Sequence, residues 1–151
     1  MFMSSWKPGR KFGLALMPFL LLTACSGSPE TIRIPVSRVV GNWTGPDGEE
    51  ISFAVDRTFE SANLAANELA AEDCPAKRTS GGWAFYAKQG DGMYGTSKEA
   101  ASGDRIGLSF TGLPEEDCFL DLAVIDGGNT LCATSDPDDP CSLGVRFSRE
   151  K

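Results

Sequence analysis

Short runs of alternating apolar and polar residues dominate the chain. From Glu50 to Val55 the alternation places Ile51, Phe53 and Val55 on one side. From Arg105 to Phe110 it does the same for Ile106, Leu108 and Phe110. A period of two is that of a strand with one face in a core. Gly82 to Lys88 is rich in aromatic residues, and Cys118 to Asp126 is strongly apolar. Arg38–Thr44, Thr58–Leu64, Met93–Ser97, Asn129–Thr134 and Leu143–Arg149 complete the series of expected strands. Gly, Pro, Asn and Asp punctuate them. Eight or nine short strands so separated predict an antiparallel sandwich or barrel. Only residues 64–73 (LAANELAAED) form a run of good helix formers. Ten residues make a marginal helix that needs packing, and it is expected to cap one end of the barrel.

One hairpin can be worked out residue by residue. If residues 55–57 form a three-residue loop, Phe53 faces Phe59 across the pair, and both point to the core. Such a loop is a type I turn followed by a left-handed residue. The left-handed position falls on Arg57, where glycine would normally sit, at a cost of about 1 kcal/mol.

The N-terminal segment has a different pattern. Lys7, Arg10 and Lys11 precede an apolar run, Phe12 to Ala24, which ends in Leu22-Thr23-Ala24-Cys25. The run has the length of a signal-peptide core and falls short of the roughly 20 residues that span a bilayer. Small residues followed directly by cysteine resemble the lipobox of bacterial lipoproteins. That resemblance implies cleavage before Cys25 and attachment of a diacylglyceryl group to its sulfur. Each buried methylene contributes about 0.8 kcal/mol, so two acyl chains anchor stably where one does so only marginally. The expected organisation is therefore a signal peptide over 1–24, a lipidated tether over 25–36 and a single β domain over 37–151. The expected location is the outer, extracytoplasmic face of the cell membrane.

Charge narrows the function. The chain carries 14 basic and 21 acidic residues and no histidine. Removing the leader takes away three of the basic residues and none of the acidic ones, leaving a net charge near −10. Nucleic acid is not an expected partner, because its binding needs a basic surface. Without histidine there is no Ser-His-Asp triad, no Cys-His dyad and no His-ligated metal. An acidic domain is expected to be repelled by an anionic membrane and held off it on the tether. With 23% charged and 41% hydrophobic residues, the chain is composed like a globular protein.

Five cysteines make an odd count for an exported protein. Lipidation of Cys25 leaves Cys74, Cys118, Cys132 and Cys141, which should be oxidised outside the cytoplasm. Four cysteines allow three connectivities, and sequence alone does not choose among them. Cys132–Cys141 is favoured because a loop of prolines and aspartates between two strand-like runs could bring the pair together; Cys74–Cys118 then follows by elimination. On the chain-entropy account the short loop contributes about 2.7 kcal/mol and the long one about 4 kcal/mol.

Gly41-Asn42-Trp43, an alternating strand and then Asp56-Arg57-Thr58-Phe59 resemble the opening of small lipocalin-like domains in actinobacterial lipoproteins. Their pattern is G-x-W followed by D-G-T-F, and this chain departs from it at Arg57. The ending, an acidic Asp-Pro loop and then Val145-Arg146-Phe147-Ser148-Arg149, also fits. The resemblance implies an antiparallel lipocalin-like barrel or half-barrel of about eight short strands with one short helix. It also implies that Trp43 packs under Arg146 or Arg149, a cation–π contact of roughly 0.5–2 kcal/mol.

The candidate sites are few. Trp83, Phe85 and Tyr86, with Phe110, could line a cavity for a small apolar molecule or could simply be core. Asp136-Pro-Asp-Asp139 offers carboxylates that calcium tolerates, but it lacks the D-x-D-x-D-G loop and reads as a solvated acidic loop. Glu49-Glu50 and Glu115-Glu116-Asp117 are adjacent acids, which in a strand point to opposite faces and so do not form an acid/base pair. No catalysis, cofactor or metal is expected. The expected function is binding of a small apolar ligand in the barrel; the alternative is an envelope protein–protein interaction module with a packed core.

Overall fold

In the computed structural model the described residues are 27–149 apart from 115 and 116. The expected signal peptide and Cys25, the expected site of lipid attachment, lie outside them. The strands are β1 (Ile34–Pro35), β2 (Gly41–Thr44), β3 (Glu50–Phe53), β4 (Thr58–Ala62), β5 (Thr79–Lys88), β6 (Tyr94–Ser97), β7 (Ser102–Gly103), β8 (Arg105–Phe110), β9 (Asp121–Ile125), β10 (Thr130–Thr134) and β11 (Arg146–Arg149). Each run of alternation became a strand because its apolar half had a core to enter.

Eight of these strands, β2 to β5 and β8 to β11, form a closed antiparallel barrel. Each pairs with its neighbour along the chain, β11 pairs back onto β2, and β4 joins β5. Closure removes the free edges that an open sheet would expose. β5 outruns β4, and from Phe85 onward β6 pairs with it as an additional strand.

The expected hairpin formed as reasoned. Phe53 is opposite Phe59, the Arg57 N–H donates to the Ala54 carbonyl at 3.2 Å, and Arg57 sits at φ 71°. Val55 departs from its expected side. It occupies the hairpin tip, 74% exposed, because the strand ends at Phe53.

Three other expectations are corrected. Residues 64–73 are not one helix but two short 3-10 turns, Leu64–Ala66 and Glu68–Glu72, broken at Asn67 (φ −148°, ψ −138°). Leu64 and Leu69 are both fully buried, and five residues of α-helix would set them about 140° apart. The break lets both face the core, and the Asn67 side chain accepts from the Leu69 N–H at 3.2 Å. Order also begins before residue 37. Ile32 donates its N–H to Val124 at 2.9 Å, Ile34 is buried, and β1 pairs with β7. Finally, the expected strand Arg38–Thr44 is strand only from Gly41. Val36–Val39 is a helical turn held where the Trp43 indole donates to the Val39 carbonyl at 2.8 Å.

Five aromatic side chains, Trp83 among them, chain across the interior. Phe85 and Phe53 each meet the Trp83 indole edge-on at 5.6 Å, and Phe59 lies 6.3 Å from Phe53 and 5.2 Å from Phe110. Both disulfides close loops at one end of the barrel. Cys74–Cys118 ties the connection before β5 to the one before β9, and Cys132–Cys141 closes the loop between β10 and β11. The opposite end, through which the N-terminal segment arrives, is sealed by β1, the helical turn and the 54–57 hairpin.

Candidate functional site on the outer barrel wall

The parity of β5 sorts the aromatic candidates. Trp83 and Phe85 point inward, and Tyr86 points outward. A side chain bordering a cavity that admits even one water would show accessible surface; Phe85 shows 0% and Trp83 1%. A Cβ at Gly103 would lie 2.6 Å from the Phe85 ring, so backbone packs directly on that ring. The interior at these side chains is therefore filled. Of the two readings open for Trp83 and Phe85, cavity lining or core, their burial is that of core side chains.

Arg57 covers this core at the end where the N-terminal segment arrives. Its guanidinium lies 4.5 Å from the Trp83 ring centre and 5.5 Å from that of Phe85, and donates to the Ala100 carbonyl at 2.6 Å. Burial pulls its pKa below the ordinary arginine value, and Glu99 opposes that shift. The indole face supplies what glycine could not, which accounts for an arginine in a left-handed position.

The concave site is outside the barrel. A groove of about 690 Å³ runs over β5 and β8, floored by Gly82, Ala84 and Gly107. One wall is Tyr86, Thr96 and Lys98; the other is the 111–120 connection, with Leu113 and Phe119. Trp83 and Phe110 border it as well, and Phe85 does not. Phe119 is 51% exposed beside it. The floor is low because Gly107 lacks a side chain: a Cβ there would stand 2.6 Å from Thr96 Cγ2.

Asp121 lies in the groove lining. It is opposite Gly107 in the β8–β9 register, so its side chain shares the outer face. Arg105 holds it from one side, Nε at 2.9 Å and Nη2 at 2.6 Å from Oδ2. The Tyr86 hydroxyl donates to Oδ1 at 3.3 Å, and the Arg105 guanidinium sits 5.1 Å above the Tyr86 ring. Burial pushes the Asp121 carboxyl above its ordinary value, and Arg105 and Tyr86 pull part of the way back. Burial and the Asp121 charge raise the Tyr86 phenol. The arrangement can accept hydrogen bonds at a carboxylate and offer apolar contact from Phe119 and Leu113.

The other expected site residues have structural roles. Trp43 does meet an arginine of the last strand, but it is Arg149, 5.7 Å from the ring centre. Arg149 also donates to the Arg38 and Val40 carbonyls, which locks the helical turn onto β11. Arg146, the other arginine expected over Trp43, instead reaches Asp126 at 3.4 Å, since its register position opposite Cys132 puts it farther along the wall. In the acidic loop, Asp136 and Asp139 accept from the Asp138 and Cys141 N–H groups, so their carboxylates hold turns. Glu49 and Glu50 point to opposite sides, as adjacent strand residues do, and Glu50 is exposed while Glu49 is not. Glu49 is fully buried, and one of its oxygens accepts from the Asp47 N–H at 2.9 Å.

Sequence reasoning passed over Arg105, Asp121 and Phe119. Parity on β5 was the available signal for Tyr86, but the ten-residue connection between β8 and β9 hid the others. Compared with known protein families, with curated proteins and with solved structures, the chain matches none.

Proposed function

We propose that this chain is a lipoprotein anchored by acyl chains on Cys25 to the extracytoplasmic face of the cell membrane. In this reading it is not an enzyme. It serves as an envelope interaction module with a packed core, and takes a segment of a partner protein in the groove on its outer wall. The observation that carries the reading is the contrast between the two sides of β5. Inward, Phe85 has no accessible surface; outward, an open groove is bordered by the half-exposed Phe119. The lipobox supports the anchor, and the barrel with Trp43 under Arg149 supports kinship with lipocalin-like domains. Absence of histidine and the engagement of Asp121 by Arg105 support a non-catalytic role.

A second reading, a small and partly apolar molecule in the same groove, is favoured by its size, since small-molecule sites span roughly 300–1,000 Å³. Photo-crosslinking in intact cells separates the two. A crosslinker at Ser109 or Phe119 should yield a protein adduct, and one at Ser52 on the far wall should not. If Ser52 captures equally, the groove is not the interface. A small molecule retained in native mass spectrometry and lost in Ser109→Trp would instead establish the second reading. The anchor is tested by palmitate labelling of the wild type against Cys25→Ala.

A further inference from the structure

Charge is divided between the two ends of the barrel. At the disulfide end, the described residues of the connections 45–49, 63–78, 111–120 and 135–144 include nine acidic residues against two basic ones, Lys77 and Arg78. At the other end, Arg33, Arg38 and Arg149 are exposed and gathered around the helical turn. Arg33 donates to the Ser102 carbonyl, Arg38 to those of Gly127 and Gly128, and Arg149 to that of Arg38. These acceptors are neutral. Among the described residues none of the three arginines makes an ion pair, so their charge stays uncancelled by contact. Among the described residues the acids at this end are Glu30, Asp56, Glu99, Asp104 and Asp126; against them stand Arg57, Lys98 and Arg146, since Arg105 is held by Asp121, and Arg146 pairs with Asp126. Two exposed apolar side chains, Ile32 and Val55, lie at this end.

The N-terminal segment meets the barrel at this end, through the Ile32–Val124 bond. Six residues lie between Cys25 and Ile32, and the seven Cα steps make a leash of at most about 25 Å when fully extended. From these facts we infer that the arginine-bearing end docks on an anionic phospholipid surface and the acidic end points away from it. The inference rests on the lipid-anchor reading for its setting. It reverses the expectation from net charge alone, because a short leash lets the surface sense the near end. A Debye length of about 8 Å at physiological salt hides the far end. Attraction whenever the arginine end faces the surface, and repulsion whenever the acidic end does, favour the same orientation.

The test removes any dependence on acylation. Residues 26–151, with a histidine tag in place of Cys25, are captured on vesicles through a nickel-chelating lipid; the closed barrel lies within this stretch. A fluorophore is placed at Ser37→Cys on the helical turn or at Ala66→Cys at the acidic end, both exposed positions. Spin-labelled lipid in the bilayer quenches whichever label approaches it. With phosphatidylglycerol in phosphatidylcholine vesicles, the Ser37 label should be quenched strongly and the Ala66 label should not. Pure phosphatidylcholine should leave both bright. Arg33→Gln should lower the ratio of docked to undocked protein about fivefold, the factor for about 1 kcal/mol per basic residue at an anionic surface. Equal quenching of both labels, or quenching indifferent to phosphatidylglycerol, overturns the inference. Failure of palmitate to label the native protein would overturn the anchor and leave this measurement standing.

Discussion

Arg57 shows how one side chain can outweigh a backbone rule. The left-handed conformation costs an arginine about 1 kcal/mol relative to glycine. Its guanidinium returns that through the Trp83 face and the Ala100 carbonyl. Arg57→Ala keeps the strain and loses the cover, and Arg57→Gly loses the cover but also the strain. Urea unfolding should therefore show Arg57→Ala less stable than Arg57→Gly by about 1 kcal/mol. The reverse order would mean that the backbone is unstrained there. Tyr86 and Asp121 make a second residue-scale prediction. The two tyrosines should be resolved in a spectrophotometric titration, with Tyr86 ionising above the ordinary phenol range and its late phase absent in Tyr86→Phe. Raised values also fix the sign for stability. The folded state holds the Asp121 proton more tightly than the unfolded chain does. Its contribution is therefore fully present below the unfolded carboxyl value and is lost as pH rises through the folded one. Asp121→Asn should flatten that part of the stability profile measured by urea midpoint against pH.

Among the elements, the connections at the disulfide end carry little regular structure and depend on their crosslinks. On the chain-entropy account, replacing Cys132 and Cys141 together by serine should cost about 2.7 kcal/mol, and replacing Cys74 and Cys118 about 4 kcal/mol. Urea unfolding of the two double variants checks the order; equal losses would show that loop length does not set the effect. The strands themselves were legible beforehand. Arg105–Phe110 has the limits expected, and the 55–57 loop has the register deduced for it. The 64–73 segment was misread for a physical reason: helix propensity is local, whereas the demand that Leu64 and Leu69 both enter the core comes from the rest of the barrel.

For the whole molecule, acids crowd one end and repel one another there. Added sodium chloride should screen that repulsion and raise the urea midpoint. A midpoint that falls with salt would show instead that attractive pairs such as Arg105–Asp121 dominate. On the docking proposed above, the same polarity makes net charge a poor guide to membrane behaviour. A sum of charges carries no position, and the barrel spaces its connections at opposite ends.

Sequence alone determined the strand series, the Phe53–Phe59 hairpin with its left-handed arginine, and the absence of any histidine chemistry. Those follow from residues close together in the chain, whose alternation and turn chemistry act over a few bonds. Tertiary structure alone decided that β4 closes onto β5, that Arg149 and not Arg146 covers Trp43, and that the open groove lies outside a filled interior. It also decided that the arginines gather where the N-terminal segment arrives. Each of these joins residues distant along the chain, and their meeting is fixed by the register and closure of eight strands together, which no local pattern encodes.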